Sequence, residues 1–367
     1  MTDPTEEVSE MAPYTVSESA KLSNGKKADE LKLDWNESTF QPSSLVRERL
    51  QAFVENGHFE YYPDVTARDL REKIAGYVNC GIENVQIFNG SDSSLRVILD
   101  TYLGQGDAFL AREPVYTQPY TFVETNGGER VTFTCESPFK KGIEQFRTVL
   151  KDTQPKVAYI PNPNNPTGVC YTPGEIEELL SAAPNTLFVV DEAYYEYADT
   201  TVSNLVSEYD NLIVSRTFSK AFGLASCRVG YVVASEETIQ HLEKVRNGKS
   251  VNLFGQIAAS AALDDLEYMR DRVQTVIRTR DWLVETLLER GYNAVSTPAN
   301  FILIKVDDPE ATVERLKRIG VYVRNRNYLP QLDGYIRVTI GDREQMEMFL
   351  DAFESVTNKI QADLPAN

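Results

Sequence analysis

The chain has 367 residues, 42% of them hydrophobic and 25% charged, the balance of an ordinary globular protein. That length exceeds one hydrophobic core and predicts two domains, or one large α/β domain with an appendage. A formal net charge of −18 argues against nucleic acid or an anionic membrane as partner, so any anionic ligand must be held by a local cluster of donors.

The opening MTDPTEEVSEMAP is acidic and lacks the basic, then apolar, pattern of an export leader. No run of about 18 apolar residues follows anywhere, so a soluble, cytoplasmic protein is expected. The four cysteines, Cys80, Cys135, Cys170 and Cys227, are far apart and form no Cys-x-x-Cys pair, which suggests neither zinc nor a disulfide framework. With only His58 and His241 present, a Ser-His-Asp triad or a histidine-rich metal site is not expected.

From about residue 85 to 235, short apolar runs alternate with amphipathic segments. VQIFNG, DAFLA, RVTFT, KVAYIP, LFVVDEA, NLIVSRTFS and GYVVAS read as strands, and TPGEIEELLSAA as one of the helices between them. This rhythm predicts an α/β fold with a mainly parallel sheet, whose ligand residues gather at the carboxyl ends of the strands. Residues 263–290 place Leu263, Leu266, Met269, Val273, Val276, Ile277, Leu283, Val284, Leu287 and Leu288 at helical spacing, predicting a long helix that stops at Gly291. FILIKV, ATVERLKRIG, VYVRN and YIRVTIG then suggest a smaller α+β domain. The expected division is an arm, 1–44, that joins the small domain, a large domain, 45–250, and the small domain itself, 251–367.

Four stretches carry chemistry. In FNGSDSSLRVILDTYL a strand meets a helix start, where the backbone N–H groups of Gly90, Ser91 and Asp92 would suit an anion, although a plain capped helix reads equally well. YIPNPNNPTG ends a strand in a stiff turn that presents Asn165. LFVVDEAYYEY delivers Asp191 to a strand end, with Tyr194 three residues on; a capping aspartate is the alternative. In SRTFSKAFGLASCRVG, Lys220 sits among small residues, as an amine that condenses with an aldehyde would, and Thr217, Ser219 and Arg228 suit a phosphate. A solvated surface lysine is the plain alternative. Together, an amine, a phosphate cradle, a carboxylate and an amide at strand ends are the parts that a pyridoxal 5′-phosphate (PLP) site requires.

PNNPTG at 163–168, DEAYYEY, SRTFSKAFGLASCRVGY and YIRVTIG together resemble the PLP-dependent class I and II aminotransferases of fold type I, and most of all the histidinol-phosphate aminotransferase group. The resemblance implies a seven-stranded, mainly parallel sheet and a homodimer with shared sites. It implies that Lys220 binds the cofactor aldehyde and then moves the substrate proton, that Asp191 pairs with the ring nitrogen, and that Tyr194 and Asn165 hydrogen-bond the ring oxygen. Tyr116 would stack on the ring. Gly90, Ser91, Asp92, Thr217, Ser219 and Arg228 would hold the phosphate, and Tyr62 would reach the phosphate of the neighbouring subunit.

For the anionic end of the substrate the resemblance points to Arg337, Arg324 and Tyr14, with Asn36 beside them. In YIRVTIG, Ile336, Val338 and Ile340 share one face, leaving Arg337 on the other, toward ligand or solvent. Arg324 has weaker support, because Arg326 stands two positions on and shares its face. WNEST, at 35–39, keeps Asn36 and Glu37 but lacks the proline usual in the group, and Ser93 follows Asp92 where glutamate is usual. The expected reaction is transamination between a small phosphorylated amino alcohol, such as histidinol phosphate, and a 2-oxo acid such as 2-oxoglutarate. Serinol phosphate or an aromatic amino acid as substrate, or decarboxylation as in threonine-phosphate decarboxylases, are the alternatives.

Overall fold

The computed structural model describes residues 2–11 and 30–363; Tyr14 lies outside the described residues. Strands in chain order are β1 (Leu31–Lys32), β2 (Val85–Phe88), β3 (Ala108–Arg112), β4 (Glu129–Phe133), β5 (Val157–Pro161), β6 (Leu187–Asp191) and β7 (Leu212–Thr217). They continue as β8 (Gly230–Ala234), β9 (Asn293–Val295), β10 (Phe301–Lys305), β11 (Val321–Tyr322), β12 (Arg324–Asn325) and β13 (Tyr335–Thr339).

A seven-stranded sheet runs in the order β2-β8-β7-β6-β5-β3-β4. Only β8 is antiparallel to its neighbours. The inner strands are buried on both faces, which is why they read as unbroken apolar runs rather than as alternating ones. Register aligns the ends that matter: Pro161 pairs with Asp191, Asp191 with Ser215, and Thr217 with Gly230. The segments after β5, β6 and β7 therefore leave the sheet side by side, and their side chains converge on one crevice.

The long helix predicted over 263–290 is the helix Leu266–Glu289; Leu263, counted with it, instead ends a preceding helix, Leu253–Leu263. Asp265 breaks the run by accepting a hydrogen bond from the Tyr268 N–H, which caps the second helix. The apolar period crosses the break, so sequence alone does not show it. Gly291, at φ +83°, follows the second helix as expected. Leu288, counted on the apolar face, is exposed.

A second, four-stranded antiparallel sheet has the order β12-β13-β10-β9, and β1 pairs in parallel with β11. The stretch VYVRN is thus shared between two sheets, with Val321–Tyr322 joining β1 and Arg324–Asn325 joining β13. This change of partner sets Arg324 directly opposite Arg337. No helix among the described residues is long and apolar enough to cross a membrane.

Candidate active site

A cavity of about 620 Å³ opens at the carboxyl ends of β5, β6 and β7. Lys220, in the loop after β7, lines it and donates from Nζ to the Trp35 carbonyl at 2.9 Å. The same Nζ lies 5.9 Å from the centre of the Tyr194 ring. The loop is held in shape by backbone hydrogen bonds from Phe218 N to Val229 O and from Leu224 N to Phe218 O.

Asp191, the last residue of β6, is buried against the cavity floor. Its carboxylate accepts from the Tyr159 hydroxyl at 2.8 Å and from the Ala193 N–H at 3.2 Å. Burial raises its pKa to about 6; Tyr159 and Ala193 pull down against this, and the charges of Asp92 and Glu192 add to the rise. Among the described residues no lysine or arginine pairs with it. Tyr194 is buried beside it, and its hydroxyl accepts from Asn36 Nδ2 at 2.9 Å.

Ser91 begins the helix Ser91–Tyr102, and no side chain caps that terminus. The donors of its first turn face the cavity together with Thr217, Ser219 and Arg228. Thr217 Oγ1 and Ser219 Oγ are 2.9 Å apart. Gly90, at φ +81°, precedes the helix, and a Cβ there would lie 2.6 Å from Arg228 Nη2. Asp92 departs from the expected role: its carboxylate accepts from the Tyr116 hydroxyl at 2.8 Å and faces Arg228 Nη2 at 3.5 Å. Only its backbone is left for an anion, while its side chain orients Tyr116 and Arg228.

The far wall is cationic. Arg324, Arg326 and Arg337 all line the cavity, with Tyr328 beside them. Arg337 is 3% exposed and lines the cavity, so this residue of YIRVTIG meets the cavity rather than solvent. It donates to Asn165 Oδ1 at 2.7 Å and to the Asp34 carbonyl at 2.5 Å. Asn165 thus lies against Arg337 as well as the cavity. Lys220 and Arg337 hold the carbonyls of consecutive residues, Trp35 and Asp34, so this dipeptide, at the start of WNEST, ties the lysine to the cationic wall.

Asn36, Gly90 and Tyr62 do not line the cavity of this chain. Asn36 is fully buried behind Tyr194 and does not line the cavity; it bonds Tyr194 and Thr339 instead. Gly90 stands at the cap of the helix Ser91–Tyr102, where its missing side chain leaves room for Arg228. Tyr62 is 77% exposed on the surface, with Lys249 Nζ 4.4 Å from its ring centre. Sequence reasoning missed Trp35, Tyr159, Arg326 and Tyr328. For Arg326 the signal was present, since it stands two residues from Arg324 on the same face.

The family model for aminotransferase class I and II matches residues 28–353. A dihydroxyacetone phosphate transaminase of Campylobacter jejuni is 36% identical over 357 residues, 96% of each chain. A histidinol-phosphate aminotransferase of Ruminiclostridium cellulolyticum is 34% identical, covering 89% of this chain and 92% of its own. Among solved structures, a Sinorhizobium meliloti histidinol-phosphate aminotransferase in complex with pyridoxal-5′-phosphate superposes with a TM-score of 0.89 at 24% identity, covering 98% of this chain and 99% of that one. An aspartate aminotransferase of Thermotoga maritima gives 0.75 at 25% identity, covering 90% and 92%. With its seven-stranded sheet and this match over most of its length, the chain belongs to the class I and II aminotransferases of fold type I.

Proposed function

We propose that the chain is a PLP-dependent aminotransferase that exchanges an amino group between a small phosphomonoester amine and a 2-oxo acid. The carrying observation is a single cavity with two anion-holding walls, one at Ser91, Thr217, Ser219 and Arg228 and one at Arg324 and Arg337, with Lys220 and Asp191 lining the same space. The two sequence relatives named above act, by their names, on dihydroxyacetone phosphate and histidinol phosphate, both phosphomonoesters. Serinol phosphate, the amine that corresponds to dihydroxyacetone phosphate, is therefore as apt a substrate as histidinol phosphate.

The residues fit the cofactor. Asp191 is a buried carboxylate without a cationic partner, which a protonated ring nitrogen would provide. The uncapped helix start and the Arg228 guanidinium, admitted by the missing side chain at Gly90, suit a phosphate. When bound, PLP supplies an aldehyde for amines and a ring that accepts the electron pair left when Cα loses a proton.

This chain's own groups do the rest. Lys220 Nζ, on leaving the Trp35 carbonyl, accepts the proton from substrate Cα. Asp191, fixed by Tyr159, keeps its charge at neutral pH. Tyr194, oriented by Asn36, and Asn165 would offer hydrogen bonds to the cofactor ring, and Tyr116, held by Asp92, would lie against it. Arg337 and Arg324 hold the anionic end of the substrate. We further read the exposed Phe59, Tyr61, Tyr62 and Phe254 as a surface covered by a second copy, with Tyr62 reaching into the neighbouring cavity, in a cytoplasmic homodimer. The division into 1–44, 45–250 and 251–367 belongs to the same reading.

The test is turnover of the PLP-loaded protein with serinol phosphate or histidinol phosphate and 2-oxoglutarate. Glutamate formed in step with loss of the amine supports transamination. Carbon dioxide released from a phosphorylated amino acid, without glutamate, would replace it with decarboxylation.

A further inference from the structure

The cavity wall opposite the phosphate cradle carries more positive charge than a carboxylate needs. Arg324 and Arg337 are direct cross-strand partners in an antiparallel pair, an arrangement in which like charges repel. Arg326, two residues beyond Arg324, also lines the cavity and donates from Nη1 to the Tyr328 hydroxyl at 3.0 Å.

Among the described residues none of these arginines forms an ion pair with a carboxylate. Asp34, the acid in the cavity wall whose charge acts on Arg337, is engaged by Lys32 at 3.0 Å. Among the described residues, Arg326 Nε, Arg337 Nε and Arg324 Nη1 are buried without a hydrogen-bond partner. Buried, unpaired guanidinium donors are costly, and a wall of them is retained where an anion completes it.

The electrostatics identify the dominant neighbour. Burial pushes the Arg337 pKa down, and the largest repulsion added to it comes from Arg326, ahead of Arg324. Burial alone would raise the Tyr328 phenol, but Arg326 and then Arg324 outweigh it and hold it below its ordinary value.

We infer that Arg326, with Tyr328, is a specificity-determining residue that completes a three-arginine subsite for a doubly charged phosphomonoester group, setting the phosphorylated substrate apart from the carboxylate-bearing partner that shares the cavity. This rests on the aminotransferase reading for the identity of the shared cavity. Arg324 and Arg337 hold either anion; the third guanidinium matches the second charge of the phosphate. A carboxylate spans two donors and leaves Arg326 unmatched.

The experiment uses the PLP-loaded protein, in which the cradle at Arg228 is filled, and compares wild type with Arg326→Gln and Arg326→Lys. Inorganic phosphate is titrated and binding is read by calorimetry and by the rise in melting temperature. Wild type should bind phosphate more tightly as pH rises and the ion takes its second charge. Arg326→Gln should weaken phosphate about tenfold or more, and Arg326→Lys should recover part of the loss. Steady-state kinetics should show KM for the phosphorylated amine raised about tenfold more than KM for 2-oxoglutarate, a split that a purely structural role would not produce.

Retention of the visible cofactor band shows that each variant is folded and loaded. Phosphate binding unchanged in both variants, or equal rises in the two KM values, would overturn the inference while leaving the aminotransferase reading intact. Phosphate binding that depends on Arg326, in a protein that transaminates no phosphorylated amine, would support the subsite and refute the proposed reaction.

Discussion

The Tyr159 hydroxyl donates to Asp191 Oδ2 at 2.8 Å, from one strand of the sheet to its parallel neighbour. Both side chains are buried, so this hydrogen bond and the one from Ala193 N–H are what keep the carboxylate ionised against burial. Removing the donor in Tyr159→Phe should raise the Asp191 pKa further. The acid limb of the pH–rate profile should then move to higher pH, and turnover at neutral pH should fall about tenfold, in line with the worth of a hydrogen bond to a charged group. An unmoved acid limb would separate Tyr159 from Asp191.

Asp191 also sets a pH dependence of stability in the cofactor-free protein. Its folded pKa, about 6, lies above its unfolded value, so the folded state holds the extra proton between roughly pH 4 and 6. Stability contributed by the protonated form is present below that window and lost as pH rises through it, a difference of about 3 kcal/mol. Asp191→Asn should abolish this component in denaturant titrations across pH 4–7. Loading with PLP should stabilise wild type more than the variant, because only the carboxylate gains a cationic partner.

Gly90→Ala tests the cradle. The added Cβ would meet Arg228 Nη2 at 2.6 Å, on a backbone at φ +81° that side chains rarely adopt. Strain of this kind is worth about 1–3 kcal/mol, so PLP affinity should fall about tenfold or more in a spectroscopic titration, while the circular dichroism spectrum stays close to wild type. Affinity within about twofold of wild type would show that Arg228 moves aside freely.

Arg216 and Glu192 form a buried ion pair at 2.8 Å beneath the site, with Thr201 accepting from the guanidinium and the Tyr195 ring stacked 3.8 Å from it. Arg216→Met leaves Glu192 charged and unpaired and should destabilise the fold by about 3–5 kcal/mol in denaturant titration. Adding Glu192→Gln should recover part of that loss, because the orphaned charge disappears. Failure of the second change to help would place the cost in packing instead.

Much of this site is legible in the sequence because strand ends announce it. The runs ending at Pro161, Asp191 and Thr217 are apolar without alternation, so both their burial and the position of the next polar residue follow from the pattern. Relationships across the fold are harder to read. Tyr159 looks like any core tyrosine until strand order places β6 beside β5. Asn36 reads as a site residue, yet its side chain turns inward to Tyr194 and Thr339, at a backbone φ of +56° that the sequence does not announce. Arg326 weakened the reading of Arg324 as a site residue, because alternation along a strand puts both on one face. That same alternation brings both to the cavity once β12 pairs with β13.

The most direct measurement mixes the PLP-loaded protein with serinol phosphate, and separately with histidinol phosphate, in the absence of any 2-oxo acid, while following the visible cofactor band. Loss of the band with stoichiometric pyridoxamine phosphate is expected for at least one of them, and is abolished in Lys220→Ala. A band that persists with both phosphorylated amines but is discharged by an unphosphorylated amino acid would contradict the assignment of the cationic wall to a phosphomonoester.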